Sequence, residues 1–227
     1  MQRLEQFTQD ASHELRTPLT ILGTSIDLAL KTQNYREGLI SAKDDLNRLS
    51  FLTERLLELA RIEKLMLQRS RIDLSDLISS CLEEYRPLAE EKGVEIKHAL
   101  LSGVIVMGDA TLLHHLIGNL MSNAVKFTES KGTVTVTLTR NVFKVSDTGV
   151  GISPAALPHI FDRFYRADQS RGSEGYGLGL ALVKRIADMH KWNIHVESKE
   201  GKGTQFTVSF HAEKTKEQEV AAETSAP

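Results

Sequence analysis

The sequence has a single cysteine, Cys81, so no disulfide can close within one chain and a cysteine-rich metal site is excluded. Its expected place is a helix face, as a small hydrophobe rather than a reactive thiol. Aromatic residues are scarce at 6%, and neither charge sign dominates, with 28 Lys and Arg against 30 Asp and Glu and a net charge of −2. With the signs interspersed there is no basic field for nucleic acid, and any phosphate must be held by a local site. No apolar run is long enough to cross a bilayer and no signal peptide opens the chain, so the expectation is a soluble chain without membrane contact of its own. Proline is rare, five in all, which makes one inside a helical stretch conspicuous. What remains is ordinary globular material, 227 residues with 41% hydrophobic and 26% charged, enough for one or two domains.

The first part of the chain reads as two helices. Leu39, Ala42, Leu46, Leu49, Thr53, Leu56 and Ala60 advance by alternating threes and fours, the seam of a coiled coil or bundle. Upstream, Leu4, Phe7, Ala11, Leu15, Leu19, Leu22, Ile26 and Ala29 form a second seam, with three consecutive steps of four from Phe7 to Leu19 that loosen the heptad. Between them, "KTQNYREG" is the expected turn. Two such helices cannot bury their faces in a lone hairpin, so a four-helix bundle made by two chains is expected. Within the first helix, "DASHELRTPLT" is unusual. His13 lies two residues from both Ala11 and Leu15, so at ~100° per residue it points away from the seam and toward solvent. Glu14 adjoins it, Thr17 lies one turn on, and Pro18 removes a backbone donor and favours a kink. By itself this is equally a surface histidine in a helix that contains a proline.

From about residue 69 strands and helices alternate. "SRIDL" reads as a strand, Ser75 as the N-cap of a helix running to Lys92, and Gly93 as its end. "VEIKHAL" and "GVIVMG" read as strands, followed by a helix from about Asp109 to Lys126. "GTVTVTLTR" and "NVFKVSD" read as a hairpin turning near Asn141. A helix from about Leu178 to His190 and the strands "WNIHVES" and "GTQFTVSF" complete the domain. Without a strict βαβ repeat, the class is α+β, helices over one mixed sheet. The charged tail "AEKTKEQEVAAETSAP" is expected to be disordered.

Three clusters in this second part look chemical. In "HHLIGNLMSNAVKFT", Asn119, Asn123 and Lys126 share a helix face, which suits oxygen ligation of Mg²⁺ and contact with a triphosphate, though buried amides can equally cap backbone. In "VSDTGVGIS", Asp147 ends a strand just before Gly149 and Gly151, a pattern that is also a common turn. In "GSEGYGLGLALVK", Gly175, Gly177 and Gly179 run into a helix start, where exposed amides can hold phosphate. The spacing departs from the dinucleotide fingerprint and no strand directly precedes it.

SHELRTPL, NLMSNAVKFT, DTGVG, FDRFYRAD and GYGLGLALVK, in that order from Phe7 to Phe210, resemble the catalytic core of a sensor histidine kinase of two-component signalling. The resemblance implies a dimerisation and phosphoacceptor hairpin over residues 1–68. It also implies an α/β sandwich ATP-binding domain over 69–212, of the kind shared with gyrase, a heat-shock chaperone family and mismatch-repair ATPases, and a tail over 213–227. By the same resemblance His13 accepts the γ-phosphoryl group of ATP, Glu14 fixes its tautomer and takes its proton, Thr17 orients a water that dephosphorylates the partner, and Pro18 lets the helix bend. Asp147 would read the adenine amino group beside Gly149 and Gly151, and Phe127 would stack on the base. Asn119 and Asn123 would hold Mg²⁺ and phosphate oxygens, Lys126 would contact phosphate, and Arg166 would meet the γ-phosphate. Gly177 and Gly179 would close a short lid on the phosphates, with Phe161 and Phe164 anchoring it in part by core packing, and Gly175, Leu178 and Thr204 would also bind the nucleotide. The implied cofactors are ATP and Mg²⁺, and the implied partners a second copy of the chain and a response-regulator receiver domain. The implied setting is a cytoplasmic fragment whose parent is anchored in a bacterial inner membrane.

Two residues depart from the family pattern. His115 stands where another polar residue is frequent, and Tyr176 stands where a small hydroxyl residue is common, so altered lid contacts are expected there. An ATPase of the gyrase and mismatch-repair type would carry a carboxylate at the His115 position. A non-enzymatic ATP switch would be expected to lack His13, the asparagines or Asp147, and all are present.

Overall fold

The computed structural model describes residues 2–64, 67–166 and 176–213; for residues 2–10, 13, 14, 63 and 64 it describes the backbone alone. The chain divides into two compact units, Met1–Leu65 with Ser173–Leu178, and Met66–Gly172 with Gly179–Pro227.

The first unit is built on α1 (Gln2–Thr32) and α2 (Tyr35–Lys64), and α1 continues through Pro18. The turn is tighter than "KTQNYREG" suggests. Gln33 and Asn34 alone lie outside the helices, and Gln33 takes the left-handed conformation (φ 59) that closes a helix C-terminus. So short a link returns α2 antiparallel along α1.

The seam also differs from expectation. The inward line on α1 is Ala11, Leu15, Pro18, Leu22, Ser25 and Ala29, and on α2 it is Gly38, Ala42, Asp45, Leu49, Leu52, Leu56 and Leu59. Leu19, Ile26, Leu39 and Leu46, expected in the seams, are exposed. The apolar stripe is wider than one contact line, and spacing alone assigned to one seam residues that belong to two faces. The inward line is a regular alternation of threes and fours, because Pro18 takes the place the spacing gave to Leu19. Asp45 is buried in it, accepting a hydrogen bond from Ser25 Oγ (3.3 Å) across the hairpin and pairing with Arg48 (3.6 Å). One polar pair of this kind fixes a register that an all-apolar seam leaves open. In the same unit the Tyr176 hydroxyl donates to Arg48 O (2.9 Å) and its ring lies 6.3 Å from that of Phe51.

The second unit opens with β1 (Ser70–Asp73), α3 (Leu74–Lys92), β2 (Glu95–Leu100) and β3 (Ile105–Gly108). It continues with α4 (Ala110–Phe127), β4 (Thr133–Leu138), β5 (Val142–Asp147), α5 (Gly179–His190), β6 (Asn193–Lys199) and β7 (Gly203–Ser209). Five strands form one mixed sheet in the order β2-β4-β5-β7-β6, with β2 and β4 parallel and the other pairs antiparallel; β1 and β3 pair separately. Alternation in "TVTVTL" turns Val134, Val136 and Leu138 into the core and leaves the threonines on the other face. Against that core α3, α4 and α5 bury Ile78, Leu82, Leu113, Leu116, Leu120, Met121, Val183 and Ile186. Cys81 is fully buried, and burial pushes its thiol up to about 12, which suits an inert core residue.

Asp73, not Ser75, caps α3: its Oδ1 accepts from Ser75 N (2.9 Å) and Asp76 N (3.4 Å). Ser75 is buried and its hydroxyl accepts instead from Val104 N (3.2 Å), a tertiary bond. At the far end, Glu213 is held by its N–H on Ile105 O (2.9 Å) and by its carboxylate on Arg71 (3.0 Å). The remainder of the expected tail lies outside the described residues.

Candidate nucleotide site and phosphoacceptor helix

α4 is fastened at both ends. At its start Asp109 Oδ1 accepts from Thr111 N (3.1 Å) and Leu112 N (3.2 Å), an N-cap. Asp109 Oδ2 also accepts from Gln68 N (3.3 Å), and Asp109 N donates to His190 Nε2 (3.0 Å) at the end of α5. Nine residues of α4 are buried, which leaves a half-buried strip carrying Asn119, Asn123 and Lys126. Asn119 Nδ2 donates to His115 O one turn back (2.7 Å), so its amide oxygen is the atom left to face a ligand. A Cβ on Gly179, the first residue of α5, would come within 2.8 Å of that oxygen. Lys126 Nζ lies 5.3 Å from the Phe127 ring centroid, and that ring is exposed, as a stacking platform must be.

Asp147 ends β5 with its carboxylate fixed. Oδ1 accepts from Gly149 N (2.9 Å) and Thr204 N (3.2 Å), and Thr204 in turn bonds Ser198 Oγ (2.9 Å). Burial pushes the Asp147 carboxyl up from its ordinary range, and the two backbone bonds oppose that shift. A Cβ on Gly149 would fall 2.3 Å from Phe127 O, and Val150 N donates to that same carbonyl (3.2 Å). Glycine is therefore needed at 149 so that the loop can close against the end of α4. Gly151 has φ +70 and leaves room for Lys199 O in the same way.

The structure thus brings Asp147, Gly149, Thr204 and Phe127 to one end of the sheet, and Asn119 to the start of α5. Leu178 is buried, Gly177 has positive φ (67), and Arg166 is half-buried. Phe161 packs edge-on against Phe206 of the core (6.5 Å), as the packing reading of that residue expects, and Phe164 is held at φ 62. His115 is half-buried with its ring edge-on to His114 (6.4 Å). Thr17 is exposed on α1. The side chains of His13 and Glu14, and all of Gly175, lie outside the described residues. Among the described residues no three His, Cys, Asp or Glu side chains could together hold a metal ion. A cation beside Asn119 and Asn123 would rest on amide and phosphate oxygens, a donor set that fits Mg²⁺.

Family models match both parts of the chain. The "His Kinase A (phospho-acceptor) domain" matches residues 3–65, and the "Histidine kinase-, DNA gyrase B-, and HSP90-like ATPase" matches residues 108–214. The chain belongs to the sensor histidine kinases. Sensor histidine kinase RppB of Synechocystis sp. is 37% identical over 226 residues, covering 92% of this chain and 49% of that protein. The chain therefore spans about half the length of the curated relatives it matches. Among solved structures, full-length ShkA in complex with AMPPNP is 30% identical with a TM-score of 0.66, covering 93% of this chain and 46% of that one. ThkA in complex with the response regulator TrrA has a TM-score of 0.72 at 22% identity, covering 94% and 64%, a likeness of fold. No helix among the described residues of the kinase core is long and apolar enough to cross a membrane.

Sequence reasoning passed over three residues that build this site. Ser198 donates to Gly203 O (3.0 Å) and receives Ile152 N (2.8 Å), tying the Gly151 loop to β6. His190 and Lys92 hold the two ends of α4. A histidine and a lysine in the last turns of α5 and α3 carry only a helix-end signal in the sequence.

Proposed function

We propose that this chain phosphorylates His13 from Mg-ATP and passes the phosphoryl group to an aspartate of a response-regulator receiver domain. The observation that carries the reading is the series of two family matches, a phosphoacceptor domain containing His13 followed by an ATPase domain containing Asn119, Asn123, Asp147 and Thr204. The clustered carboxylate, backbone amides and aromatic ring of the second unit supply the recognition chemistry that a nucleotide needs.

In the step itself an imidazole nitrogen of His13 attacks the γ-phosphorus in line, the bond from that phosphorus to the β,γ-bridging oxygen breaks, and ADP leaves with the electron pair. Glu14 orients the ring through its other nitrogen and accepts its proton. Asp147 accepts a hydrogen bond from the adenine amino group, and Phe127 offers its exposed face to the base. Asn119 and Asn123 would hold Mg²⁺ and phosphate oxygens, and Lys126 and Arg166 balance the phosphate charge as it shifts. Mg²⁺, when bound, neutralises the phosphate oxygens. Transfer to the receiver domain forms an acyl phosphate and restores neutral His13. Thr17, one turn along α1, orients a water for the reverse traffic, hydrolysis of that acyl phosphate. The active form is a homodimer through α1 and α2, and the intact protein is anchored in a bacterial membrane.

The test is incubation with Mg²⁺ and γ-labelled ATP, wild type beside His13→Gln. Label that is acid-labile, alkali-stable and absent from the variant is expected. Label retained in His13→Gln would refute the assignment, and nucleotide turnover without protein label would favour the gyrase-type ATPase reading.

A further inference from the structure

We infer that Lys92, at the end of α3 and outside every motif described above, is a positioning residue for the nucleotide site. It holds the last turn of α4 where Phe127 meets the Gly149–Val150 loop. The inference rests on the nucleotide reading of that site and deepens it.

The last four carbonyls of a helix have no intrahelical donor. In α4 these belong to Ala124, Val125, Lys126 and Phe127, and all four are satisfied. Ala124 O accepts from Thr128 N (3.1 Å) and Thr128 Oγ1 (2.6 Å), and Phe127 O accepts from Val150 N (3.2 Å). The two between them share one side-chain donor: Lys92 Nζ donates to Val125 O (3.0 Å) and to Lys126 O. The ammonium also sits at the negative end of the α4 dipole, where a cation is stabilised.

The position of Lys92 is itself fixed by backbone. α3 closes on Gly93 in the left-handed conformation (φ 69), with its N–H on the last-turn carbonyls. Lys131 N donates to Gly93 O (2.7 Å) and Glu95 N to Gly132 O (2.9 Å), which bind the end of α3 to the turn that follows α4. The lysine therefore reaches α4 from a rigid base. Its loss removes this donor from two carbonyls in the turn that carries Asn123, Lys126 and Phe127, and that turn is the wall against which Gly149 packs. Lys92 acts through α4 and not on the nucleotide.

The experiment compares the whole chain with Lys92→Met and Lys92→Arg. It measures equilibrium binding of a fluorescent ATP analogue, the ATP concentration giving half-maximal autophosphorylation, and the maximal rate. In Lys92→Met the dissociation constant and the half-saturating ATP concentration should both rise, on the order of tenfold, as for other partners that support a binding residue. The maximal rate should stay within about twofold of wild type. Lys92→Arg, whose fork can span two carbonyls, should restore affinity. Wild-type affinity in folded Lys92→Met, a loss confined to the maximal rate, or an Arg variant as weak as the Met variant would each overturn the inference. If Lys92→Met does not fold, Lys92→Gln, which keeps one donor, takes its place. An intermediate affinity then supports the inference, and wild-type affinity overturns it. A wild type that binds the analogue but never labels His13 overturns the kinase reading and leaves the affinity comparison intact. A wild type that binds no nucleotide removes the reading, and the inference with it.

Discussion

His190 uses both nitrogens of its ring. Nε2 accepts the Asp109 N–H, so Nδ1 carries the proton it shares with Ile186 O (2.8 Å), and the ring must be neutral. Burial lowers its pKa and Arg69 adds to that effect, while the Ile186 carbonyl and Asp109 oppose it. With the folded value below the unfolded value of about 6.5, the stabilisation is complete above that pH. It is lost as pH falls from there through the folded pKa. Thermal melts at about pH 7.5 and about pH 5.5 should show the wild type losing several degrees more than His190→Gln, whose amide oxygen can still accept the Asp109 N–H. Equal acid losses in the two proteins would count against the neutral-ring account. Thr17 tests a division of labour on the other unit: exposed on α1 and one turn from His13, it is proposed to serve only hydrolysis of the phosphorylated partner. Thr17→Ala should retain His13 labelling within about threefold and slow partner dephosphorylation on the order of tenfold or more. A variant that cannot label itself would refute the split.

At the scale of elements, the proposed nucleotide site is a junction between the end of α4 and the loop after β5. Gly149 is the closest approach in that junction, since the space for a Cβ is already occupied by Phe127 O. Gly149→Ala should force the loop off the helix, cost about 1–3 kcal/mol of stability and weaken nucleotide binding. Binding and melting equal to wild type would show that the junction can relax. Much of this unit was legible in the sequence because its signals are local. The strand run "GTVTVTLTR", the helix start near Asp109 and the glycine at 93 each specify backbone within a few residues. The cap falls on Asp73 and not Ser75 because "RIDLSD" offers three capping side chains, Asp73, Ser75 and Asp76, and the tertiary bond to Val104 N draws Ser75 away. Lys92 was invisible for the same reason, as its partners lie 33 and 34 residues further along the chain. The role of His13 was carried by resemblance to a family, because periodicity placed it on a helix face and said nothing of phosphate.

Across the whole molecule, the hairpin spends its apolar residues on more than one neighbour. The inward line closes α1 on α2, yet Leu19 (52% exposed), Ile26 (44%), Leu39 (70%) and Leu46 (52%) remain outside it. The spacing had merged these residues into single seams because positions such as Ala42, Leu49 and Leu56 border both faces. An exposed stripe of this width on paired helices is what a second hairpin covers in a four-helix bundle. The buried Ser25–Asp45 pair already fixes the register within one hairpin, so loss of the outer stripe should separate chains before it unfolds them. Sedimentation at a concentration on the order of 10 µM should give a dimer for the wild type and a folded monomer for Leu39→Glu/Leu46→Glu, where charge is placed on the stripe and the inner line is untouched. A wild type that sediments as a monomer would leave the stripe unexplained and overturn the bundle, whereas a double variant that stays dimeric would move the interface to another face of the helices.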